Sequence, residues 1–590
     1  MTNNNTSEHS LKPPDAADSA VALQDSGQSA SSVEVAVRLE TLLADLYDPR
    51  DTAALAARLL AFAVNPGPQR SHNGNPCMLI TYADSLRAEG ETPLVTLRKF
   101  LLLHVGDMFG TVHLLPFYPS SSDDGFAVID YRLVDHHVGS WEDVQALAAD
   151  YDLMFDLVIN HCSRESLWFA DFINGRDPGR NYFITLPEES DTSAVMRPRS
   201  TPLISAVHTY AGIRHVWNTF SDDQIDLDFS NPDVLAEFVD ILFFYLQQGA
   251  RLIRLDAIGF LWKRLGSSCM NLPETHVVVK ILRLLLDHAG GGIRLVSETN
   301  VPHAENVSYF GNGDEAHLVY QFSLAPLLLY SYAFADASYL TTWAARLEAP
   351  PVGATFLNFI ASHDGIGLRP LEGLVPEENV KRLVELMHER GGFVTMRQIG
   401  PAEQKPYEIN ISLFSAFGGT AQDIAAYLGA HTLLLSFQGV PALYLHSLLA
   451  SGNDLDLVEQ TGRTRSINRG HLDLSEVGRQ LADPDSIPAR VLHTLARNIQ
   501  CRNAQPAFAE DASQRVSPSP PGLFLLRRQA AQQLIVVVAS VLPELQQVPL
   551  AGMDFDSGSY LDLLTGESVQ IDESLTLEPY QVRWLELTER

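Results

Sequence analysis

Eight short apolar or β-branched runs recur between residues 77 and 446, alternating with amphipathic stretches of helical spacing. They are CMLITY (77–82), GTVHLLPF (110–117), LMFDLVIN (153–160), ARLIRLDAI (250–258), IRLVSET (293–299), HLVYQFSL (317–324), TFLNFIAS (355–362) and VPALYLH (440–446). Between them lie helical stretches such as SWEDVQALAADY, NPDVLAEFVDILFFYLQQ and ETHVVVKILRLLLDHA. Alternation of strand and helix predicts parallel strands. Eight such units predict an α/β fold, a (β/α)8 TIM barrel, whose chemistry gathers at the C-terminal ends of the strands.

Two segments between the strands are too long for simple loops and predict subdomains over that face. The first covers 162–225 and is rich in Arg, Pro and Ser; the second covers 365–419, with a short helix and a mobile loop, RGGFVTMRQIGPAEQKPYEINISLFSAFGG. From 505 to 590 the pattern changes to short alternating runs, GLFLLRRQ, QLIVVVASV, SYLDLLTG and TLEPYQVRWLEL. These predict a small C-terminal antiparallel β domain. Residues 1–32 are polar and rich in Ser, Asn, Asp and Ala, which predicts a disordered tail and leaves 33–504 for the barrel. Residues 425–450 carry no charged side chain, but Gly439 and Pro441 interrupt them. A buried helix followed by a buried strand fits them better than a membrane span, and a soluble protein is expected.

Composition narrows the partners. The 590 residues include 72 acidic and 41 basic side chains, a formal charge of −31, which argues against a nucleic-acid or anionic-membrane partner. Cys77, Cys162, Cys269 and Cys501 form no CxxC pair, so neither a disulfide framework nor a zinc site is expected. With no basic-then-apolar leader pattern, a reducing cytoplasm is the default location.

The polar residues that end the runs carry the chemistry. The third run leads to Asp156, Asn160 and His161; the fourth ends in Arg254 and Asp256; the fifth reaches Glu298; and the seventh leads to His363 and Asp364. Arg254 and Asp256 stand two apart, so a strand points both to one face. Any one of these endings could be a structural ion pair. Four on one barrel face favour function.

The blocks DLVINH, RLDAIG, SETN and ASHDGIG, in that order, resemble the α-amylase clan of retaining glycosidases and transglucosidases over roughly residues 75–500. The resemblance implies Asp256 as nucleophile, Glu298 as general acid/base and Asp364 as the carboxylate that stabilises the distorted sugar. It also implies Arg254 as the group that orients the nucleophile, and His161 and His363 as donors to glucose hydroxyls. Retention takes two displacements: one carboxylate attacks while an acid protonates the leaving oxygen, with the two carboxyl groups about 5–5.5 Å apart. Arg254 would keep Asp256 ionised, and burial would keep Glu298 protonated.

PFYPSSSDDGFAVIDY narrows the resemblance to the sucrose phosphorylase group, with Asp123 gripping glucose and Phe126 facing it. Phe220 and Gln224 in TFSDDQIDLDF and Arg469 in SINR fit the same pattern, which implies a pocket for a single glucosyl unit. Arg199 in RPRSTPL and Tyr407 in KPYEIN match two mobile loops over the acceptor site, with Arg199 as a phosphate contact. The implied activity is a retaining α-glucoside phosphorylase: α-glucoside plus inorganic phosphate gives α-glucose 1-phosphate and a free acceptor, with no cofactor or metal. Asn160 matches a calcium-binding position of many amylases, without a recognisable ligand pattern around it. A hydrolase or transglucosidase is the alternative class; a non-catalytic barrel would lack the carboxylates.

The acceptor side departs from the group. Pro406-Tyr407-Glu408 stands where Leu-Tyr-Gln is expected, and Asn300 stands where a histidine is expected. An anionic acceptor would need a cation such as Lys405, Arg397 or Arg199, and Glu408 would oppose it unless paired. A neutral polyol suits an unpaired Glu408, since a carboxylate accepts hydrogen bonds from hydroxyls. Glucosylglycerol is therefore the leading substrate expectation, ahead of glucosylglycerate, sucrose 6-phosphate and sucrose.

Overall fold

The structure, a computed structural model, describes residues 32–64, 75–199, 201–398, 404–549, 553 and 557–589. Eight strands close a parallel barrel: β1 Met78–Thr81, β2 Thr111–Leu114, β3 Asp152–Leu157, β4 Ala250–Leu255, β5 Arg294–Ser297, β6 Leu318–Tyr320, β7 Thr355–Asn358 and β8 Val440–Tyr444. Each strand pairs with its neighbours in the chain, and β8 returns to β1. Seven lie inside the apolar runs and β3 begins one residue before its run, and all eight are shorter than the runs. Asp256 and Glu298 therefore stand one residue past the ends of β4 and β5, while Asn160 and Asp364 lie further along, in the segments that follow β3 and β7.

The strands are buried almost throughout because helices cover the outside of the barrel. The helix Pro232–Gln247 shows how the sequence sets this up. Asn231 caps it by accepting from the Asp233 N–H, Pro232 fixes its first turn, and its apolar side chains pack against the core. Helices Ser32–Ala44 and Thr52–Phe62 add to this layer; Ser32 opens the first of them, while residues 1–31 of the expected tail lie outside the described residues.

After β3 the chain forms the short strand His161–Ser163, the helix Leu167–Asn174 and a hairpin of Ile204–Thr209 with Gly212–Trp217. The strand Gln224–Asp226 pairs back onto His161–Ser163. After β7 come the helix Glu377–Glu389 and a three-stranded antiparallel sheet made by Ile366–Gly367, Gln404–Asn410 and Phe393–Gln398. The expectation of a loop over 390–419 is corrected here: Phe393–Gln398 and Gln404–Asn410 are paired strands. Tyr407, Glu408, Ile409 and Ile411 are buried.

The C-terminal region is a six-stranded antiparallel sheet with a two-stranded annex. It is docked to the barrel layer by Trp584, whose indole N–H donates to Ser436 Oγ at 2.8 Å. The uncharged stretch 425–450 forms the helix Ile424–Ser436, then β8, then the helix Leu445–Leu448. Among the described residues no helix is long and apolar enough to cross a membrane.

Candidate active site

Arg254, only 2% exposed, organises the rim. Barrel register sets it opposite Asp156 of β3 and Val296 of β5. One guanidinium nitrogen, Nη1, donates to Asp156 and, at 2.8 Å, to Asp256 Oδ1. The other, Nη2, lies 3.8 Å from Glu298 Oε2. Asp156 in turn meets His113 Nε2 at 2.7 Å. The rings of Phe126 and Tyr320 flank the guanidinium at 5.8 and 5.5 Å. Three buried carboxyls thus share one guanidinium, and a single cation cannot balance three anions in so dry a place.

The protonation of the group follows from burial. Burial pushes Asp256 well up, Arg254 pulls it back, and Glu298 pushes it up again. Glu298 is also raised by burial, against the pull of Arg254 and of the Ala257 N–H. Arg254 is 1 Å nearer to Asp256 than to Glu298 (3.8 − 2.8 Å), so its charge favours the ionised form of Asp256 more than that of Glu298.

The backbone between them is left-handed. Ala257 has φ 50° and ψ 31°, a conformation that costs a residue with a Cβ roughly 1–2 kcal/mol. This turn immediately after Asp256 aims the Ala257 N–H at Glu298 Oε2, 2.8 Å away. The strain sits between the two carboxyls and fixes one relative to the other.

Around Asp364 the positive groups dominate. Arg465 Nη1 lies 2.9 Å from Asp364 Oδ1, Arg469 Nη2 lies 3.7 Å from the same oxygen, and His363 Nε2 lies 3.5 Å from Oδ2. Burial alone would raise Asp364, but His363 and the two guanidiniums hold it well below the usual carboxylate range. His363 itself is pulled down to about 3 by burial and stacks on Phe126 with ring centroids 4.9 Å apart.

Asp123 stands on the facing wall, where Gln224 Nε2 donates to it at 3.3 Å. Arg469 Nη1 binds the adjacent Asp124 at 2.5 Å. His161 Nε2 donates to the Phe126 carbonyl at 2.9 Å, and its ring lies 5.1 Å from that of Phe220. Asn160 is turned away from the rim: its Oδ1 accepts from Lys263 Nζ at 2.6 Å, and the same ammonium lies 2.6 Å from Asp226. A lysine ammonium therefore sits where these two acceptors converge.

The acceptor-side residues do not pair as the sequence suggested. Lys405 is bound to Glu377 at 2.7 Å and Arg397 to Glu372. Glu408 is engaged by Arg465 instead, through Nε at 2.9 Å and Nη2 at 2.6 Å. The premise of an unpaired Glu408 is thereby corrected: a two-pronged guanidinium contact uses both carboxylate oxygens.

These groups surround one cavity with about 770 Å³ of empty space, open to solvent on one side. Thirteen of the fifteen residues singled out from the sequence line it: Asp123, Phe126, His161, Arg199, Phe220, Gln224, Asp256, Glu298, Asn300, His363, Asp364, Tyr407 and Glu408. Arg254 and Arg469 stand behind its wall, in contact with lining carboxylates.

Comparison with known proteins is decisive at this point. The family described as "Alpha amylase, catalytic domain" matches residues 107–349. A glucosylglycerate phosphorylase of Allomeiothermus silvanus is 42% identical over 92% of this chain and 96% of its own length. The glucosylglycerate phosphorylase of Escherichia coli is 40% identical over 86% of this chain and 91% of its own. A glucosylglycerol phosphorylase of Marinobacter adhaerens is 30% identical over 74% of this chain and 88% of its own. The chain belongs to the glycoside phosphorylases of the α-amylase family. The solved structure of sucrose 6F-phosphate phosphorylase from Thermoanaerobacter thermosaccharolyticum is 28% identical, covering 79% of this chain and 94% of that one, with a TM-score of 0.69.

For this phosphorylase, sequence reasoning missed Arg465, Ala257, Met270 and Phe260. Arg465 was within reach: it lies four residues before Arg469 in the 3-10 turn Thr464–Asn468, so both guanidiniums point back to Asp364. Nothing local marks Met270, which enters the wall from the segment after β4.

Proposed function

We propose that this α-glucoside phosphorylase acts on glucosylglycerate, giving α-glucose 1-phosphate and glycerate. The observation that carries the chemistry is the placement of Asp256, Glu298 and Asp364 in one cavity around Arg254. Asp256 attacks the anomeric carbon while Glu298 protonates the departing glycerate oxygen, leaving glucose as an ester on Asp256. Glu298, now a carboxylate, takes a proton from incoming phosphate as the phosphate oxygen attacks the same carbon and the ester breaks. Inversion twice is net retention.

Asp364, kept anionic, faces the positive charge that builds on the ring in both transition states. Asp123, His161, Gln224 and His363 bind the glucosyl hydroxyls, while Phe126 and Phe220 supply apolar faces. Arg469, braced between Asp124 and the His363 carbonyl, keeps this end of the pocket in register. Arg199, Asn300 and Tyr407 face the space taken first by glycerate and then by phosphate.

Glycerate is preferred to glycerol for two reasons. The relatives with the greater identity carry the glucosylglycerate name. The argument for a neutral polyol also needed an unpaired Glu408, and Arg465 occupies it. The test is phosphate release from α-glucose 1-phosphate with glycerate, glycerol, fructose and fructose 6-phosphate, beside phosphorolysis of glucosylglycerate with and without phosphate. Glycerate should give the highest specificity constant. A higher constant for glycerol, or glucose as the main product at saturating phosphate, would overturn the assignment.

A further inference from the structure

The acceptor side holds a buried cation that the reaction as described does not use. Arg369 opens the 3-10 turn Arg369–Leu371 after β7 and is 6% exposed. Among the described residues no carboxylate forms an ion pair with it; Glu372 and Glu305 act on it only at longer range. Its Nη1 reaches only the Met270 thioether at 3.7 Å, and its Nε has no hydrogen-bond partner. Other cations of this region are bound: Arg397 to Glu372, Lys405 to Glu377, and Arg465 to Glu408 and Asp364. Burying a guanidinium against a thioether is costly, and such a group persists where something else compensates it.

Its position says what could do so. The N–H of the preceding residue, Leu368, donates to the Tyr407 carbonyl at 2.9 Å, and Gly367 pairs with Glu408 in the same small sheet. Gly367 also approaches Asn300 so closely that an added Cβ would lie 2.7 Å from Asn300 Oδ1. That oxygen is buried without a partner. Met270, Tyr407, Glu408 and Asn300 all line the cavity. Arg369 is thus one side chain behind the acceptor wall, and that side chain is a methionine, whose three rotatable bonds let it move at little cost.

We propose that Arg369 is the specificity residue for the acceptor's carboxylate: the Met270 side chain swings aside, and the guanidinium pairs with the anionic group of glycerate. This rests on the assignment of glycerate as acceptor. A guanidinium forks onto a carboxylate through two parallel N–H···O bonds, and a neutral polyol offers it no such partner. Discrimination is strong in such a site because the wrong acceptor leaves the buried charge unpaired.

The test compares specificity constants for glycerate and glycerol in the reverse reaction. In Arg369→Met the constant for glycerate should fall roughly 100-fold or more, while that for glycerol stays within about threefold. Arg369→Lys should restore part of the glycerate preference. Met270→Glu gives an arm that leaves Arg369 in place: its carboxylate would occupy the guanidinium and should abolish the preference. Thermal melting of each variant identifies a folding defect, in which case Met270→Glu decides. A wild-type enzyme that favours glycerate, with variants that lose glycerate and glycerol activity equally or lose neither, would overturn the role of Arg369 alone. A wild-type enzyme with no preference for glycerate would overturn the acceptor assignment, and this inference with it.

Discussion

The glucose end and the acceptor end of the cavity are built by different means. At the glucose end, carboxylates stand at the ends of barrel strands. Arg254 ties Asp156 on β3 to Asp256 just past β4 and lies near Glu298 just past β5, so adjacent strands hold the geometry. At the acceptor end, the side chains come from segments outside the barrel strands: Arg199 from the insertion after β3, Glu408 and Tyr407 from the sheet after β7, and Arg465 from the turn after β8. Arg465–Glu408 joins residues 57 apart at the acceptor end, and Asp123–Gln224 joins residues 101 apart where the first insertion reaches the glucose end. In the proposed reaction the barrel holds the reaction centre and the surrounding segments select the acceptor.

The harshest way to break the comparison is at the barrel rim. Asp256→Asn should abolish turnover by several orders of magnitude while the melting temperature holds or rises, because the variant loses an attacking oxygen and relieves the crowding of three buried carboxyls around one guanidinium. Glucose 1-phosphate formation and a thermal melt, measured together, check this. Substantial residual turnover would move the nucleophile elsewhere.

That contrast also explains what could be read from the sequence. Barrel strands are short continuous apolar runs, and the polar residues stand at or after the ends of those runs, so all eight strands and the candidate carboxylates Asp256, Glu298 and Asp364 were legible in order. Chemistry and fold share one local signal there. At the acceptor end the signal divides. Glu408 reads as a free carboxylate because its partner, Arg465, comes from the turn after β8, 57 residues on. The strands Phe393–Gln398 and Gln404–Asn410 read as a loop because Arg397, Lys405 and Glu408, which pair with other segments, break the apolar alternation.

Glu298 gives the next test, with a sign in pH. Burial raises its pKa, and it must be protonated to release an alkoxide leaving group. Phosphorolysis of glucosylglycerate should therefore decline on the alkaline side as pH rises through that raised value. Glu298→Gln should lower it by about 10²–10⁴-fold. With α-glucosyl fluoride, whose leaving group departs without a proton, release of fluoride in the first displacement should lose both the alkaline limb and most of the mutational effect. Equal losses on the two substrates would remove Glu298 from the acid role.

Lys263 probes the link between the first insertion and the rim. Its ammonium, with the side chain 5% exposed, holds Asn160 next to His161, and Asp226 on the paired strand. Lys263→Met leaves Asp226 buried without its cation, so a destabilisation of about 3–5 kcal/mol is expected in urea unfolding. Asp226 still accepts from the Thr219 N–H at 2.8 Å, which should preserve the strand pairing and permit folding. A change below about 0.5 kcal/mol would mean that the ammonium is dispensable there.

The smallest expected effect concerns a contact of Arg465, a side chain that touches both ends. Arg465 holds Glu408 on the acceptor sheet and Asp364 at the glucose end. If the two ends work independently, Glu408→Gln should act only on the acceptor. Arg465 keeps Asp364 at 2.9 Å as its counter-ion, so the guanidinium remains charged and in place. The neutral amide can still accept from one of its nitrogens, but the two-pronged contact is lost and the acceptor wall loosens. The KM for glycerate should rise by about tenfold or less, the size of one contact between neighbouring groups. Fluoride release from α-glucosyl fluoride, which needs Asp256 and Asp364 but no acceptor, should remain within about twofold of the wild-type rate. A larger fall in fluoride release would show that Glu408 sets the position of Asp364 through Arg465. The acceptor sheet would then belong to the reaction centre, and the boundary between scaffold and specificity would lie further out than the barrel rim.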